Sequence, residues 1–253
     1  MAIFVLTPLV LILFFSFTND KNQFTLENLV IACGYSSIFL KSIWLAAVST
    51  IVCLLIGYPV AYCVSKISCK YQNIFLILLM IPMWTNFLLR TYAWMTILEY
   101  NGLLNSILNF LGFSKINMIN TQGAVILGMV YNFLPYMILP IYTILDKMDK
   151  RAIEAAQDLG ANRIKVFTKV ILPLSVPGIV SGFTMVFVPS VSTFIISKIL
   201  GGGSIFIIGD LIEMQFLGNV YNPHLGSAIS LILMIIIMLC MATMNQGNRI
   251  QKL

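Results

Sequence analysis

The sequence predicts an all-α membrane protein that crosses the bilayer six times. Apolar residue types make up 59% of the 253 residues and charged types only 9%, whereas soluble domains carry about 25% charged residues. The apolar residues form long runs that largely exclude charge, and a helix needs about 20 such residues to cross a hydrocarbon core. The polar residues between these runs are too few for a separate soluble domain.

Six apolar runs, taken in chain order, define the spans of one predicted transmembrane domain, residues 1–253. They cover residues 1–17, 37–64, 74–98, 123–145, 171–196 and 225–244. The first run is short and no basic residue precedes it, so we expect either a true start upstream or a shortened cytoplasmic end. A cleaved signal peptide is the alternative, although the charged start and small-residue cleavage site of such a peptide are missing.

The basic residues predict the orientation of the spans, because cytoplasmic loops retain Lys and Arg. Ten of the 15 Lys and Arg residues lie between spans 2 and 3, in the loop 146–170, or in the C-terminal tail. These are Lys66, Lys70, Lys147, Lys150, Arg151, Arg163, Lys165, Lys169, Arg249 and Lys252. Both termini are therefore predicted to be cytoplasmic. Topology and anionic lipid account for the net charge of +6, which predicts no nucleic-acid partner.

A glycine run between spans 5 and 6, residues 201–203, raises the question of phosphate binding. A phosphate-binding loop needs the lysine and hydroxyl of G-x-x-x-x-G-K-[ST], and no Gly-Lys pair occurs in the sequence. The five cysteines and the single histidine also lack the spacing of a metal site. We therefore expect the chain to bind no cofactor or metal, and any ATP that drives it, with its Mg, to be bound by a different subunit.

The predicted cytoplasmic loop contains the segment RAIEAAQDLGANRIKVFTKVILP, Arg151 to Pro173. Its charged residues exclude it from lipid. Its spacing is that of an amphipathic helix whose apolar residues fall near one face, namely Ile153, Ala156, Leu159 and Ala161. Gly160 either interrupts this helix or allows a close approach. A surface helix with an apolar face needs a groove to fill, so we expect it to dock onto another protein.

The same segment resembles the signature of the inner-membrane permeases of binding-protein-dependent ABC importers. That signature is EAA, three residues, Gly, nine residues and I-x-L-P, and here Val170 replaces the first isoleucine. The resemblance implies the type I ABC importer permease fold, with a cytoplasmic coupling helix between spans 4 and 5 that docks onto an ATPase. The coupling residues would be Glu154, Ala155, Ala156, Asp158, Leu159 and Gly160.

Further segments are similar to the permeases of spermidine/putrescine importers within that family: GYPVAYCVSK (57–66), IPMWTNFLLRTYAW (81–94) and NGLLNSIL (101–108). This likeness implies a subunit that is not itself an enzyme and that imports polyamines across the bacterial cytoplasmic membrane. Its implied partners are a second permease, a cytoplasmic ATPase dimer, an external substrate-binding protein and membrane lipid.

A polyamine is best held by carboxylates and aromatic faces, through charge-assisted hydrogen bonds and cation–π contacts. The candidates near the outer side are Trp84, Tyr92, Trp94, Glu99, Asp210 and Glu213. The alternative is that these aromatic residues belong to the membrane interface and that the acids are simply solvated. Two other functions also remain open: a permease of the same family for another small solute, or a secondary transporter that works alone. A secondary transporter predicts ionisable residues near the midplane of several spans, where only Arg90 stands out.

Overall fold

The computed structural model describes residues 2–19, 21, 23–218 and 220–250. Met1 of the predicted first span and Lys252 of the predicted cytoplasmic tail lie outside this part of the chain. The described residues form α-helices and one π-helical turn, so the predicted all-α class is confirmed. The helices are α1 (Ala2–Ser16), α2 (Glu27–Gly34), α3 (Ser36–Lys66), α4 (Cys69–Trp84), α5 (Phe87–Leu98), α6 (Leu103–Phe110), α7 (Gln122–Asp146), α8 (Lys150–Asp158), α9 (Arg163–Val166), the π turn (Phe167–Ile171), α10 (Leu172–Ser192), α11 (Ile195–Leu200), α12 (Ile208–Leu217) and α13 (Pro223–Ile250).

Four helices in the described part of the chain are long and apolar enough to cross a membrane. They are α3, α7, the continuous helix Arg163–Ser192 that joins α9, the π turn and α10, and α13 as far as Met244. Three of them coincide closely with the predicted spans 37–64, 123–145 and 225–244. The apolar part of α1, Leu6–Ser16, is shorter than these four.

The region predicted as the third span, residues 74–98, is not one continuous helix. It is divided into α4 and α5, with a sharp bend at Thr85 and Asn86. The Thr85 hydroxyl donates to the Pro82 carbonyl at 2.7 Å, and Asn86 Oδ1 accepts the Leu88 N–H at 2.8 Å. Each of these two side chains satisfies one of the backbone groups that a broken helix leaves free. If the bent pair forms one span, the number of candidate spans rises to five.

The predicted fifth span, residues 171–196, also has different ends in the structure. The helix starts eight residues earlier, at Arg163, and ends at Ser192, before α11 begins at Ile195. A Cβ on Gly209 would collide with the carbonyl oxygens of Ser192 and Thr193. The start of α12 therefore lies directly against the end of this helix, and only glycine allows that approach.

Close packing of Cα atoms divides the chain into two units. The first comprises Met1–Ala46, Thr91–Gly128 and Val191–Ala242, and the second comprises Ala47–Arg90, Met129–Ser190 and Thr243–Leu253. In the first unit, α11 packs on the start of α7, where a Cβ on Gly128 would collide with the Leu200 and Ile196 side chains. The apolar α11 and α12 segment is thereby held inside its own unit.

In the second unit, α7 and α10 pack closely at two glycines that are one helical turn apart. A Cβ on Gly178 would lie 3.0 Å from the Pro140 carbonyl oxygen, and one on Gly182 would lie 3.0 Å from the Met137 carbonyl oxygen. Small residues at this spacing let two membrane helices approach each other closely. The same unit also contains the segment predicted to be cytoplasmic, residues 146–170.

We predict that Gly182→Ala destabilises the protein by about 1–3 kcal/mol, the usual cost of adding a methyl group to a packed core. Thermal unfolding of the purified protein in detergent measures the change. Gly34→Ala is the matched control, because a Cβ at Gly34 in α2 meets nothing within 4 Å. Equal unfolding temperatures for the two variants would contradict the assigned packing.

Candidate functional site

The segment predicted to be cytoplasmic begins with a well-capped helix. Asp149 precedes α8, and its Oδ1 accepts the Arg151 N–H at 2.9 Å. A side-chain acceptor at this position satisfies one of the free N–H groups of the first turn and typically contributes about 1 kcal/mol. The helix is therefore stable at its start without any partner protein.

The end of α8 explains the glycine of the signature. Gly160 has a φ of +77°. Its N–H donates to the Gln157 carbonyl at 2.8 Å, and the Ala161 N–H donates to the Ala156 carbonyl at 3.0 Å. This pair of bonds is a Schellman motif, which needs a left-handed residue that glycine adopts without strain. A Cβ at Gly160 would meet nothing within 4 Å. Of the two roles predicted for Gly160, helix termination is therefore the one the geometry supports.

A second helical piece follows at once. Asn162 Oδ1 accepts the Lys165 N–H at 2.8 Å and so caps α9. The segment is thus two helices joined by a tight turn, and the second continues through the π turn into α10. No loop separates the turn from this long apolar helix.

The sequence predicted that the apolar residues of this segment share one face. In the structure they do not all do so. Ile153 and Ala156 are half-buried, whereas Leu159, six residues after Ile153 and so about 120° around the helix from it, is 89% exposed. Ile164 on α9 is likewise 73% exposed. Two large apolar side chains on either side of the Gly160 turn therefore project into solvent. Among the predicted coupling residues, Glu154, Ala155, Asp158 and Gly160 are exposed as well.

A cavity of about 490 Å³ lies beside the inner face of α8. Ile153 lines it together with Tyr62, Gln72 and Ile171. Gln72 is buried here: its amide donates to the Ile67 carbonyl at 3.0 Å, and its Oε1 accepts the Tyr142 hydroxyl at 3.1 Å. The turn between α3 and α4 is therefore hydrogen-bonded to α7. This turn and Ile153 of α8 line the same cavity.

The outer candidates Asp210 and Glu213 lie together, on α12. Asp210 is buried: its Oδ1 accepts the Ser197 hydroxyl at 2.9 Å, and its Oδ2 accepts the Ile207 N–H at 3.0 Å. The second bond caps the start of α12. Burial raises the pKa of Asp210 from 3.8 to about 6, although both hydrogen bonds oppose the rise.

Glu213 forms an ion pair that the sequence did not predict. Lys198 Nζ donates to both carboxylate oxygens of Glu213, at 2.8 and 3.1 Å. Lys198 and both acids line a cavity of about 190 Å³ whose walls are otherwise mostly apolar, with Phe206 and Met214 among them. The hydrogen bond to Glu213 raises the pKa of the Lys198 ammonium. The cavity therefore combines carboxylates, one primary ammonium and an aromatic ring.

The other outer candidates lie at the protein surface. Trp84 is 75% exposed at the end of α4, Tyr92 is 50% exposed on α5, and Glu99 is exposed just after α5. Trp94 is half-buried and has partners of its own. These side chains remain pathway candidates on chemical grounds only.

The fold defines a class, that of multi-pass membrane proteins with a structured helical turn between two long apolar helices. The family model described as "Binding-protein-dependent transport system inner membrane component" matches residues 53–247. The chain therefore belongs to this family of inner-membrane transport components, which are non-catalytic membrane subunits.

Two relatives align over nearly the whole chain. It is 39% identical to the spermidine/putrescine transport system permease protein PotB of Haemophilus influenzae, over 98% of this chain and 90% of that protein. It is 36% identical to PotB of Escherichia coli, over 99% of this chain and 94% of that protein. The predicted membership of the permease family is thus confirmed.

Solved structures share the fold. A bacterial ABC transporter for alginate import superposes with a TM-score of 0.81 at 14% identity, covering 98% of this chain and 90% of that one. The same kind of transporter in complex with an alginate pentasaccharide-bound periplasmic protein superposes with a TM-score of 0.77 at 16% identity, covering 99% and 91%. At these identities the likeness establishes the architecture of an ABC importer permease and no substrate.

The raised pKa of Asp210 predicts a pH-dependent stability. Its neutral form favours the folded state, so this stabilisation is complete below pH 3.8 and is lost as the pH rises through about 6. The Asn side chain of Asp210→Asn stays neutral. The stability of this variant relative to that of the parent chain should therefore increase as the pH rises from 4 to 7. Thermal unfolding across this range tests the prediction, with the exposed Glu27→Gln as control. A constant difference between Asp210→Asn and the parent chain would contradict it.

Proposed function

We propose that this chain is the permease subunit of an ATP-driven importer that carries polyamines, spermidine and putrescine, across the bacterial cytoplasmic membrane. Two sets of observations support the proposal. The similarity to PotB proteins covers the whole chain and not only the signature. The cytoplasmic segment has the form that docking onto an ATPase requires.

The observation that carries the coupling role is the exposed turn at Gly160. Its backbone is fixed by two hydrogen bonds, yet Leu159 and Ile164 on either side are left in solvent. Exposed large apolar side chains on a rigid turn are suited to fill a groove on a partner. We therefore assign ATPase docking to Glu154, Ala155, Ala156, Asp158, Leu159 and Gly160.

The proposed topology has six spans and places both termini in the cytoplasm. The spans are α1, α3, the bent pair α4 and α5, α7, the continuous helix Arg163–Ser192, and α13. The cytoplasmic segment then follows span 4 and leads directly into span 5, which is the position of a coupling helix. The basic residues of loop 146–170 support this orientation.

The proposed assembly contains this chain, a second permease, a cytoplasmic ATPase dimer that binds ATP and Mg, and an external protein that delivers the polyamine. The chain itself binds no cofactor in this scheme. Closure of the ATPase pair would move the docked turn, and the attached span would change which side of the membrane the pathway faces. This mechanism is alternating access, in which another subunit hydrolyses the ATP.

For the pathway, we propose the outer candidates Trp84, Tyr92, Trp94, Glu99, Asp210 and Glu213. The Lys198 contact supports the choice of Glu213, because a polyamine presents the same primary ammonium that this carboxylate already binds. Phe206 and Met214 beside it offer apolar contact for methylene groups. The site is suited to brief contact with a passing cation, since Lys198 competes for the same carboxylate.

Transport of labelled spermidine is the direct test of the function. We expect the complex, reconstituted in proteoliposomes with its ATPase and external binding protein, to take up spermidine only when ATP is supplied. Excess putrescine should compete, whereas phosphate, thiosulfate and iron should not. Competition by one of these other solutes would assign a different substrate, and uptake without the ATPase would favour a secondary transporter.

A second test concerns docking. Gly160→Asp should abolish uptake and co-purification of the ATPase while the chain still inserts, because φ of +77° costs a non-glycine residue about 1–2 kcal/mol and the new carboxylate lies in the interface. Glu154→Lys should act in the same way by reversing an exposed charge.

The matched control for the docking test is Gly112→Asp. Gly112 has a φ of +83°, and a Cβ there also meets nothing within 4 Å. It carries the same backbone strain in the loop after α6, on the side proposed to be external. Normal uptake by Gly160→Asp and Glu154→Lys, or equal loss in Gly112→Asp, would refute the docking assignment.

A further inference from the structure

The helix that joins the cytoplasmic turn to span 5 contains one π turn, Phe167–Ile171. The Leu172 N–H donates to the Phe167 carbonyl, five residues earlier, instead of to the residue four earlier. Pro173 follows at once and has no N–H, so the Lys169 carbonyl lacks an α-helical partner and the helix can widen here. Single π turns occur often at functional positions of helices.

Two tyrosines of α3 hold the first residue of this turn. The Phe167 ring contacts Tyr58 with ring centroids 5.8 Å apart and Tyr62 with centroids 5.5 Å apart. Both contacts are edge-to-face, with interplanar angles of 84° and 81°, the arrangement that aromatic quadrupoles prefer. Tyr58 and Tyr62 are one helical turn apart on α3, so together they form a slot that fits one ring.

Tyr58 also contacts the helix beyond the π turn. Its hydroxyl lies 3.0 Å from the Ser175 hydroxyl, which donates to the Leu172 carbonyl at 2.8 Å. Tyr58 and Ser175 are both buried. One side chain of α3 therefore bridges the π turn, from its first residue to a point four residues past its end.

This geometry fixes how far the helix after the π turn is rotated about its axis relative to the helix before it. The π turn holds one residue more than an α-helical turn, so loss of the turn would rotate the helix on one side of it by about 100°. Such a rotation would remove Phe167 from its slot while Ser175 stayed beside Tyr58. The aromatic contacts and the hydroxyl pair are satisfied together only while the π turn is present.

We infer that Phe167 is a positioning residue for energy coupling: held between Tyr58 and Tyr62, its ring fixes the orientation in which the docked cytoplasmic turn drives span 5. The inference rests on the proposed ATPase coupling and adds the residues that transmit the motion. None of the three is among the coupling residues assigned above: Tyr58 and Tyr62 lie on α3, and Phe167 lies seven residues after Gly160, at a position that the signature leaves unspecified.

The test is the number of spermidine molecules imported per ATP hydrolysed by the complete reconstituted complex. Phe167→Ala should lower this ratio about tenfold, within the range by which residues of a coupling network change coupling. The ATPase subunit should still co-purify and hydrolyse ATP, because the docking turn is unchanged. Phe167→Tyr keeps the ring and should keep the ratio. Tyr58→Phe, which removes only the hydroxyl contact, should lower it less than Phe167→Ala.

Phe183→Ala is the matched control, because Phe183 is a half-buried ring on α10 that stacks on Phe187 at 5.6 Å. The number of spermidine molecules imported per ATP hydrolysed should be the same in Phe183→Ala as in the parent chain. If Phe167 acts through Tyr62, the double variant Tyr62→Ala with Phe167→Ala should be no worse than Phe167→Ala alone. If Phe167→Ala fails to insert, Phe167→Leu and Tyr62→Ala replace it and should show the lowered ratio.

Three results would overturn the inference: an unchanged ratio in the Phe167 or Tyr62 variants, an equal fall in Phe183→Ala, or loss of the ATPase subunit from Phe167→Ala. Should the parent complex import another solute, the same ratio is measured with that solute. A parent complex that imports nothing contradicts the proposed function, whereas normal coupling in Phe167→Ala contradicts only the positioning role.

Discussion

Hydrocarbon offers a peptide group no hydrogen-bond partner, so a chain of this composition must satisfy its backbone internally wherever a helix stops. The described breaks follow this constraint. Thr85 and Asn86 each bond one free group where α4 ends and α5 begins, and Asp210 accepts the N–H of Ile207, the residue before α12. The Gly160 turn, which the sequence places outside lipid, also bonds two carbonyls at the end of α8. These hydrogen bonds fix the geometry of the chain at each break. Helices connected in this way are expected to move together.

Much of the fold could be predicted because hydropathy records it directly. The spans at 37–64, 123–145 and 225–244 are uninterrupted apolar runs, and the structure reproduces them closely. The breaks could not be located, because hydropathy reports burial in lipid and not backbone continuity. Asn86 after Thr85 is a helix-start signal within an apolar run, but a prediction based on apolar length alone passes over it. The helix from Arg163 to Ser192 begins in charged sequence, and apolar length alone misses this start for the complementary reason, since a helix can extend beyond its apolar run.

The candidate site was predictable where its geometry is local. The signature glycine and the caps at Asp149 and Asn162 act within a few residues, so the sequence could indicate a helix, a turn and a second helix. The exposure of Leu159 departs from the predicted face because six residues at about 100° each place it about 120° around the helix from Ile153. The Lys198 and Glu213 pair joins residues 15 positions apart across an irregular segment, and no periodicity encodes such a contact. The same holds for Phe167 and Tyr62.

The arrangement of charge fits a subunit that passes a cation without retaining it. A carboxylate left bare in a low-dielectric pathway would bind a polyamine too tightly to release it, and burying the charge would itself be costly. Here one acid is committed to capping a helix and the other is matched by a lysine of the same chain. In the proposed pathway, an ammonium group of the polyamine must compete with the lysine ammonium for the carboxylate. It therefore replaces an existing contact and does not add a new one. In the proposed scheme, affinity belongs to the external protein that delivers the polyamine, and the energy for release comes through the turn proposed to dock onto the ATPase.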